Sequence, residues 1–152
     1  AGAIDGYHAH VYYDPTATRD RAERVRASIA ERFPEAQLGR WHDAPVGPHP
    51  RAMFQIAFPN RSFPALVPWL MLNRLGLAVL VHPNTEDARA DHLAHALWMG
   101  EILPLNADVL PPQLARTEVE QDIAGPPVAI FRAPHAPGVH EVDAVDHAVP
   151  RL

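Results

Sequence analysis

Polar and apolar residues alternate from Gly6 to Tyr13, with Tyr and Val prominent, which predicts a β-strand. Asp14-Pro15 ends it. Ala22, Val25, Ile29 and Phe33 then recur at helical spacing among Arg and Glu, predicting a helix that Pro34 stops. Gln37 to Trp41 reads as a short strand. Asp43 to Pro50, with Pro45, Gly47, Pro48 and Pro50, reads as a loop, and Ala52 to Phe58 as a strand. After the Pro59-Asn60 turn, Ser62 is placed to cap a helix with Pro64 in its first turn. That helix runs through Leu66, Val67, Leu70 and Met71 and ends at Gly76. Leu77 to His82 is an apolar run that predicts a buried strand. Asn84 or Thr85 would cap a last helix from about Glu86 to Met99, with Gly100 at its end.

The order is strand, helix, strand, strand, helix, strand, then an extra helix. This is the βαββαβ, ferredoxin-like pattern of an α+β fold, an antiparallel sheet with helices on one face. The expected division is a domain over 1–110 and a Pro-rich C-terminal extension over 111–152. Pro127 to Arg132 could add a strand to an edge, and an extended tail is expected from His135 onward.

Strand side chains alternate between faces. Ala9 and Val11 should lie under the helices, with Phe54, Ile56, Phe58, Val79 and Val81. The opposite face then carries His8, His10, Tyr12, Gln55, Leu80 and His82. The first strand should run between the third and fourth, antiparallel to both, which brings His82 beside His8. His49 should enter from the other end, nearer Tyr12. In the last predicted helix, Ala88, His92, His95 and Met99 form a stripe, and Asp91 could hold the His95 ring. The helix-free sheet face, with a stripe such as Met53, Ala78 and Leu80, should not stay exposed, so a homodimer is expected.

Composition narrows the chemistry. The net charge of −5 gives no reason to expect nucleic acid or a membrane surface as partner. All 13 basic residues are arginine, which excludes Schiff-base and P-loop lysine chemistry within this sequence. There is no cysteine, hence no disulfide, thiolate nucleophile or iron–sulfur ligand. No apolar run reaches the ~18 residues of a membrane span. No signal-peptide core precedes the first strand, and the expected compartment is the cytoplasm.

What remains is histidine. Of ten, His8, His10, His49 and His82 sit in short apolar segments. Imidazole titrates near neutrality and is the commonest metal ligand. Each residue also has a plainer reading: His8 and His10 as a polar strand face, His49 as a loop cap, His82 as a strand end, His92 and His95 as solvated or packed. Arg51 and Arg74 could bind a substrate carboxylate. No H-E-x-x-H, G-x-S-x-G, G-x-G-x-x-G or P-loop motif is present.

Five segments carry a resemblance. Tyr7-His8-Ala9-His10-Val11-Tyr12-Tyr13-Asp14, Val46-Gly47-Pro48-His49-Pro50, Trp69 to Arg74, Val81-His82-Pro83-Asn84-Thr85 and Asp91 to Gly100 resemble, in order, the DOPA 4,5-dioxygenase family. Asn84-Thr85-Glu86-Asp87 departs from the family's Asn-Thr-Gly-Asp at the helix start. The resemblance covers about Tyr7 to Leu110 and implies a ferredoxin-like fold. It also implies a non-haem Fe(II) extradiol dioxygenase that opens the ring of a catechol, L-DOPA or a relative, with O2. Another divalent ion such as zinc could fill the site. On this reading His10 and His82 are metal ligands, and His49 is the third ligand or the acid–base group. His8 is a reserve ligand and catalytic with Tyr12. Arg51, Gln55, His92 and His95 contact substrate. Asp14 and Glu101 are the weaker carboxylate candidates. The competing readings are a non-enzymatic module binding an aromatic ligand on the sheet face, and a ferredoxin-like monooxygenase that needs no metal.

Overall fold

The computed structural model describes residues 3–111. Strand Tyr7–Tyr12 (β1) leads to helix Arg19–Arg32 (α1), the two-residue strand Gln37–Leu38 (β2) and strand Met53–Phe58 (β3). Helix Phe63–Asn73 (α2), strand Val79–Pro83 (β4), the short helix Ala88–His92 (α3) and strand Leu97–Met99 (β5) complete the fold. The sheet is antiparallel with order β2-β3-β1-β4-β5. This is the ferredoxin-like α+β arrangement with a fifth strand added beside β4. The expected Pro127–Arg132 strand and the tail over 111–152 lie, but for residue 111, outside the described residues.

The register follows the apolar phase. His8 pairs with Ala57 of β3 and His82 of β4, and His10 pairs with Gln55 and Leu80. Ala9, Val11, Phe54, Ile56, Phe58, Val79 and Val81 form one core with Ala22, Val25 and Ile29 of α1 and Leu66, Val67 and Leu70 of α2. A slip of one residue would turn the histidines into this core, so burial of the apolar set fixes where they point.

Three expectations change. The helix predicted over Glu86–Met99 stops at His92, and Leu97–Met99 is a strand paired with Val79–Val81. The edge of β4 would otherwise leave its backbone groups without partners. Alternation suits this pairing: Met99 enters the helix-side core, while Trp98 stacks on Tyr12 with ring centroids 5.9 Å apart. The α3 cap is Asp87, which accepts from the Ala90 N–H at 2.9 Å, rather than Asn84 or Thr85. The predicted strand over Gln37–Trp41 keeps only Gln37 and Leu38.

The second sheet face is covered by the chain itself. Tyr12, Met53, Ala78 and Leu80 pack with Leu103 beneath Val46, Trp98 and Leu105. Met53, Ala78 and Leu80 are buried within the single chain, so the reason for expecting a homodimer is not met. Among the described residues no helix is long and apolar enough to cross a membrane.

Candidate metal centre

Every second residue of β1 from His8 points away from the helices, which places His8, His10 and Tyr12 in a row. β4 adds His82 beside His8. The Val46–Pro50 loop, tied by the His49 N–H to Val46 O bond, brings His49 over Tyr12. Helix α3 contributes His92, whose ring lies 3.9 Å from that of His82. All five histidines are at most 2% exposed.

The ring nitrogens converge. His10 Nε2 lies 3.1 Å from His82 Nε2. One nitrogen from each of His8, His10 and His82 falls within 4.8 Å of the others, and so does one from each of His10, His49 and His92. His10 belongs to both groups. His82 Nδ1–H donates to Pro83 O at 2.8 Å, and His92 Nδ1–H donates to Ala88 O at 2.7 Å. A carbonyl can only accept, so these bonds fix the tautomer and leave each Nε2 as a lone pair, the arrangement usual behind a metal-bound imidazole. Burial first, and neighbouring imidazoles second, hold His10, His49 and His82 well below the usual histidine pKa. Burial lowers His92 as well. These four imidazoles are therefore neutral at physiological pH, the state that binds a cation.

The donor set fits a transition ion. Five buried imidazoles with no carboxylate among the two groups suit iron, zinc or copper, and do not suit magnesium or calcium. His10 Nδ1 and His49 Nε2 are buried with no hydrogen-bond partner among the described residues, as are both amide atoms of Gln55, opposite His10 on β3. Buried polar atoms are rarely left so, and such a set points to a missing ligand.

The other residues named from sequence lie around this centre or away from it. Arg51 is half-exposed and grips Glu101 bidentately, at 3.0 and 2.9 Å. Both border a cleft of about 460 Å³ that Tyr12, Tyr13, Asp14 and Asp43 also line. Glu101 is thus engaged by Arg51, and Asp14 by the turn it forms with Thr16 and Ala17, and neither belongs to the two imidazole groups. Arg74 donates to Met71 O. His95 stays outside the cluster, with its side chain 53% exposed and its Nδ1 3.4 Å from Asp91 Oδ1. It borders a second cleft of about 790 Å³ with Tyr7, Phe63, His82 and Leu97. Asp91 instead accepts the Thr85 N–H and Oγ1–H, each at 2.7 Å. His92, which the resemblance places in contact with substrate, stands among the possible ligands. The sequence pattern did not single out Trp98, which roofs Tyr12. Alternation through Leu97–Met99 was the available signal for Trp98.

A buried polyhistidine centre on a ferredoxin-like sheet defines a candidate metalloprotein. Residues 7–109 match the Dopa 4,5-dioxygenase family, and the chain belongs to it. It is 32% identical over 117 residues to the DOPA 4,5-dioxygenase of Amanita muscaria, covering 71% of this chain and 50% of that protein. A 21.2 kDa uncharacterized protein of Botryotinia fuckeliana is 36% identical over 124 residues, covering 72% of this chain and 66% of that one. The chain thus spans between half and two thirds of the length of these relatives. A crystal structure of a candidate dioxygenase from Nostoc punctiforme superposes with a TM-score of 0.68 at 56% identity, covering 70% of this chain and 90% of that one.

Proposed function

We propose that the chain is a cytoplasmic non-haem Fe(II) extradiol dioxygenase that opens a catechol ring beside a hydroxyl, inserting both atoms of O2. The observation that carries this reading is the buried, carboxylate-free imidazole cluster at the centre of the sheet. Either His8, His10 and His82 or His10, His49 and His92 would hold the ion. Bound Fe(II) would supply the redox chemistry that lets O2 react with a closed-shell aromatic ring, with positions left open for substrate.

The chain's own residues do the rest. Imidazoles kept neutral by burial are ready to take a catechol hydroxyl proton, the ordinary work of a general base. The Tyr12 hydroxyl, 2.7 Å from His49 Nδ1, holds that ring in place. Gln55 offers a donor and an acceptor beside His10. Arg51 lines the cleft that Tyr12 also borders, where it would meet a polar or acidic side chain of the substrate.

The test is anaerobic loading of the purified, untagged chain with Fe(II), followed by O2 uptake across a panel of catechols. The expected result is stoichiometric iron and a yellow semialdehyde chromophore rising with O2 consumption. Absence of O2 uptake with every catechol would overturn the reading. Binding of aromatics by a metal-free chain would then favour a non-enzymatic module or a metal-free monooxygenase.

A further inference from the structure

Tyr12 and His49 are both buried, and they meet through the phenol hydroxyl and Nδ1 at 2.7 Å. Two proton arrangements are compatible with that distance. Either the O–H donates to an unprotonated Nδ1, or an Nδ1–H donates to the phenol oxygen. In the second, the hydroxyl hydrogen needs another acceptor, and among the described residues the Tyr12 hydroxyl has no other hydrogen-bond partner. Burial makes an orphaned donor costly. The first arrangement leaves one orphan, the proton on Nε2, whereas the second leaves two, the hydroxyl hydrogen and the Nε2 lone pair.

Its consequence differs from what the backbone does elsewhere in the cluster. Carbonyls hold His82 and His92 by Nδ1–H and leave Nε2 as a lone pair. A hydroxyl that donates to His49 leaves the imidazole proton on Nε2. That atom is buried and has no hydrogen-bond partner among the described residues.

We infer that Tyr12 is a positioning residue whose hydroxyl donates to His49 Nδ1, so that His49 presents an Nε2–H into the cluster as a hydrogen-bond donor and not as a metal ligand. The inference rests on the metal-dependent reading of the site, and it leaves His8, His10 and His82 as the group that holds the ion. A donor at Nε2 suits an anionic oxygen of a ligand bound there. Tyr12 thereby sets His49, which offers a proton, apart from His82 and His92, which offer lone pairs.

The experiment is nitrogen–proton correlation NMR on the full chain labelled with ¹⁵N-histidine, metal-free and loaded with Zn(II), a diamagnetic probe. His49→Gln assigns the His49 signals by their loss. The expected result in the metal-free chain is a protonated Nε2 and an unprotonated Nδ1 on His49, with the reverse on His82 and His92. On Zn(II) loading, His8, His10 and His82 shift as coordinated rings while the His49 Nε2–H persists. In Tyr12→Phe, His49 loses its fixed tautomer, while bound Zn(II) per chain stays the same. A His49 carrying its proton on Nδ1, or coordinating Zn(II) through Nε2, would overturn the inference. The metal-free wild-type spectrum decides the tautomer even if Tyr12→Phe does not fold. Failure of Zn(II) and Fe(II) to bind at all would sink the proposed function instead, and would be seen separately as metal content.

Discussion

His10, His49, His82 and His92 are each at most 2% exposed, and burial depresses the pKa of all four. Unfolding returns each to a value near 6.5. Below that pH the unfolded chain binds protons that the folded chain does not, and stability rises with pH wherever the unfolded state binds more protons. The metal-free fold is therefore fully stable above about pH 6.5 and loses stability as pH falls below it. The slope is up to about 1.4 kcal/mol per pH unit for each imidazole. Urea midpoints measured from pH 8 to 5 in chelator should drop steeply in the acid half, and a flat profile would refute this. Bound metal should move the drop to lower pH, because it occupies lone pairs that protons must otherwise claim. At the same scale, His10 is the one residue common to both ligand groups. His10→Ala should reduce bound metal from about one ion per chain to near none, whereas His95→Ala, at a half-exposed ring outside the cluster, should leave metal content intact. Direct metal analysis of the two variants checks this.

The segment from β4 through α3 to β5 shows how an element can override its own pattern. Ala88, His92, His95 and Met99 have helical spacing, yet only Ala88–His92 is helix. Over so few residues the helical and alternating readings overlap, and tertiary pairing with β4 decides. What holds the turn before α3 is Asp91, 2% exposed, which accepts from the Thr85 N–H and Oγ1–H. Hydrogen bonds to a charged acceptor contribute about 1.5–3 kcal/mol. Asp91→Ala should therefore destabilise the fold by roughly that amount, and it should loosen His92, the next residue. Chemical denaturation gives the first effect. A changed His92 ring signal in the ¹⁵N-histidine spectrum would report the second, and an unchanged urea midpoint would show that the carboxylate contributes nothing. The strands and long helices, by contrast, were legible in sequence. Ala22, Val25 and Ile29 on α1, and the β1, β3 and β4 alternation, each had one way to bury their apolar sets. His8, His10, Gln55 and His82 were assigned to one sheet face for that reason. His92 was harder to place, because its position depends on where a short helix breaks.

At the scale of the whole molecule, the second sheet face looked from sequence like a surface awaiting a partner. It is instead closed by two segments with no regular strand or long helix, the Asp43–Pro50 loop and the stretch from Glu101 to Leu110. Such covers are invisible to periodicity, since their apolar residues, Val46, Leu103 and Leu105, are spaced by chain path and not by helix or strand geometry. The cover is held by Leu103 and Leu110, at 4% and 1% exposure, by the Tyr12–His49 and Asn106 N–H to Pro48 O hydrogen bonds, at 2.7 and 2.9 Å, and by the solvent-exposed Arg51–Glu101 and Arg89–Asp108 pairs. Solvent-exposed ion pairs are worth little, so most of the hold comes from the two buried leucines and the two hydrogen bonds. Yet the histidines beneath are almost wholly buried, and a metal or an aromatic ring must pass the cover to reach them. Segments with few buried contacts open at free energies well below that of global unfolding. Leu103→Ala removes one of the two buried leucine contacts, at a cost of about 2–5 kcal/mol for a buried leucine. If opening of this segment admits ligands, the same change should make the open state at least about tenfold more populated. Release of bound Zn(II) to excess chelator should then accelerate at least about tenfold, with the amount of Zn(II) bound at saturation unchanged. A lowered urea midpoint with an unchanged release rate would mean that ions leave by another path, and the cleft beside His82 and His95 would be the place to test it.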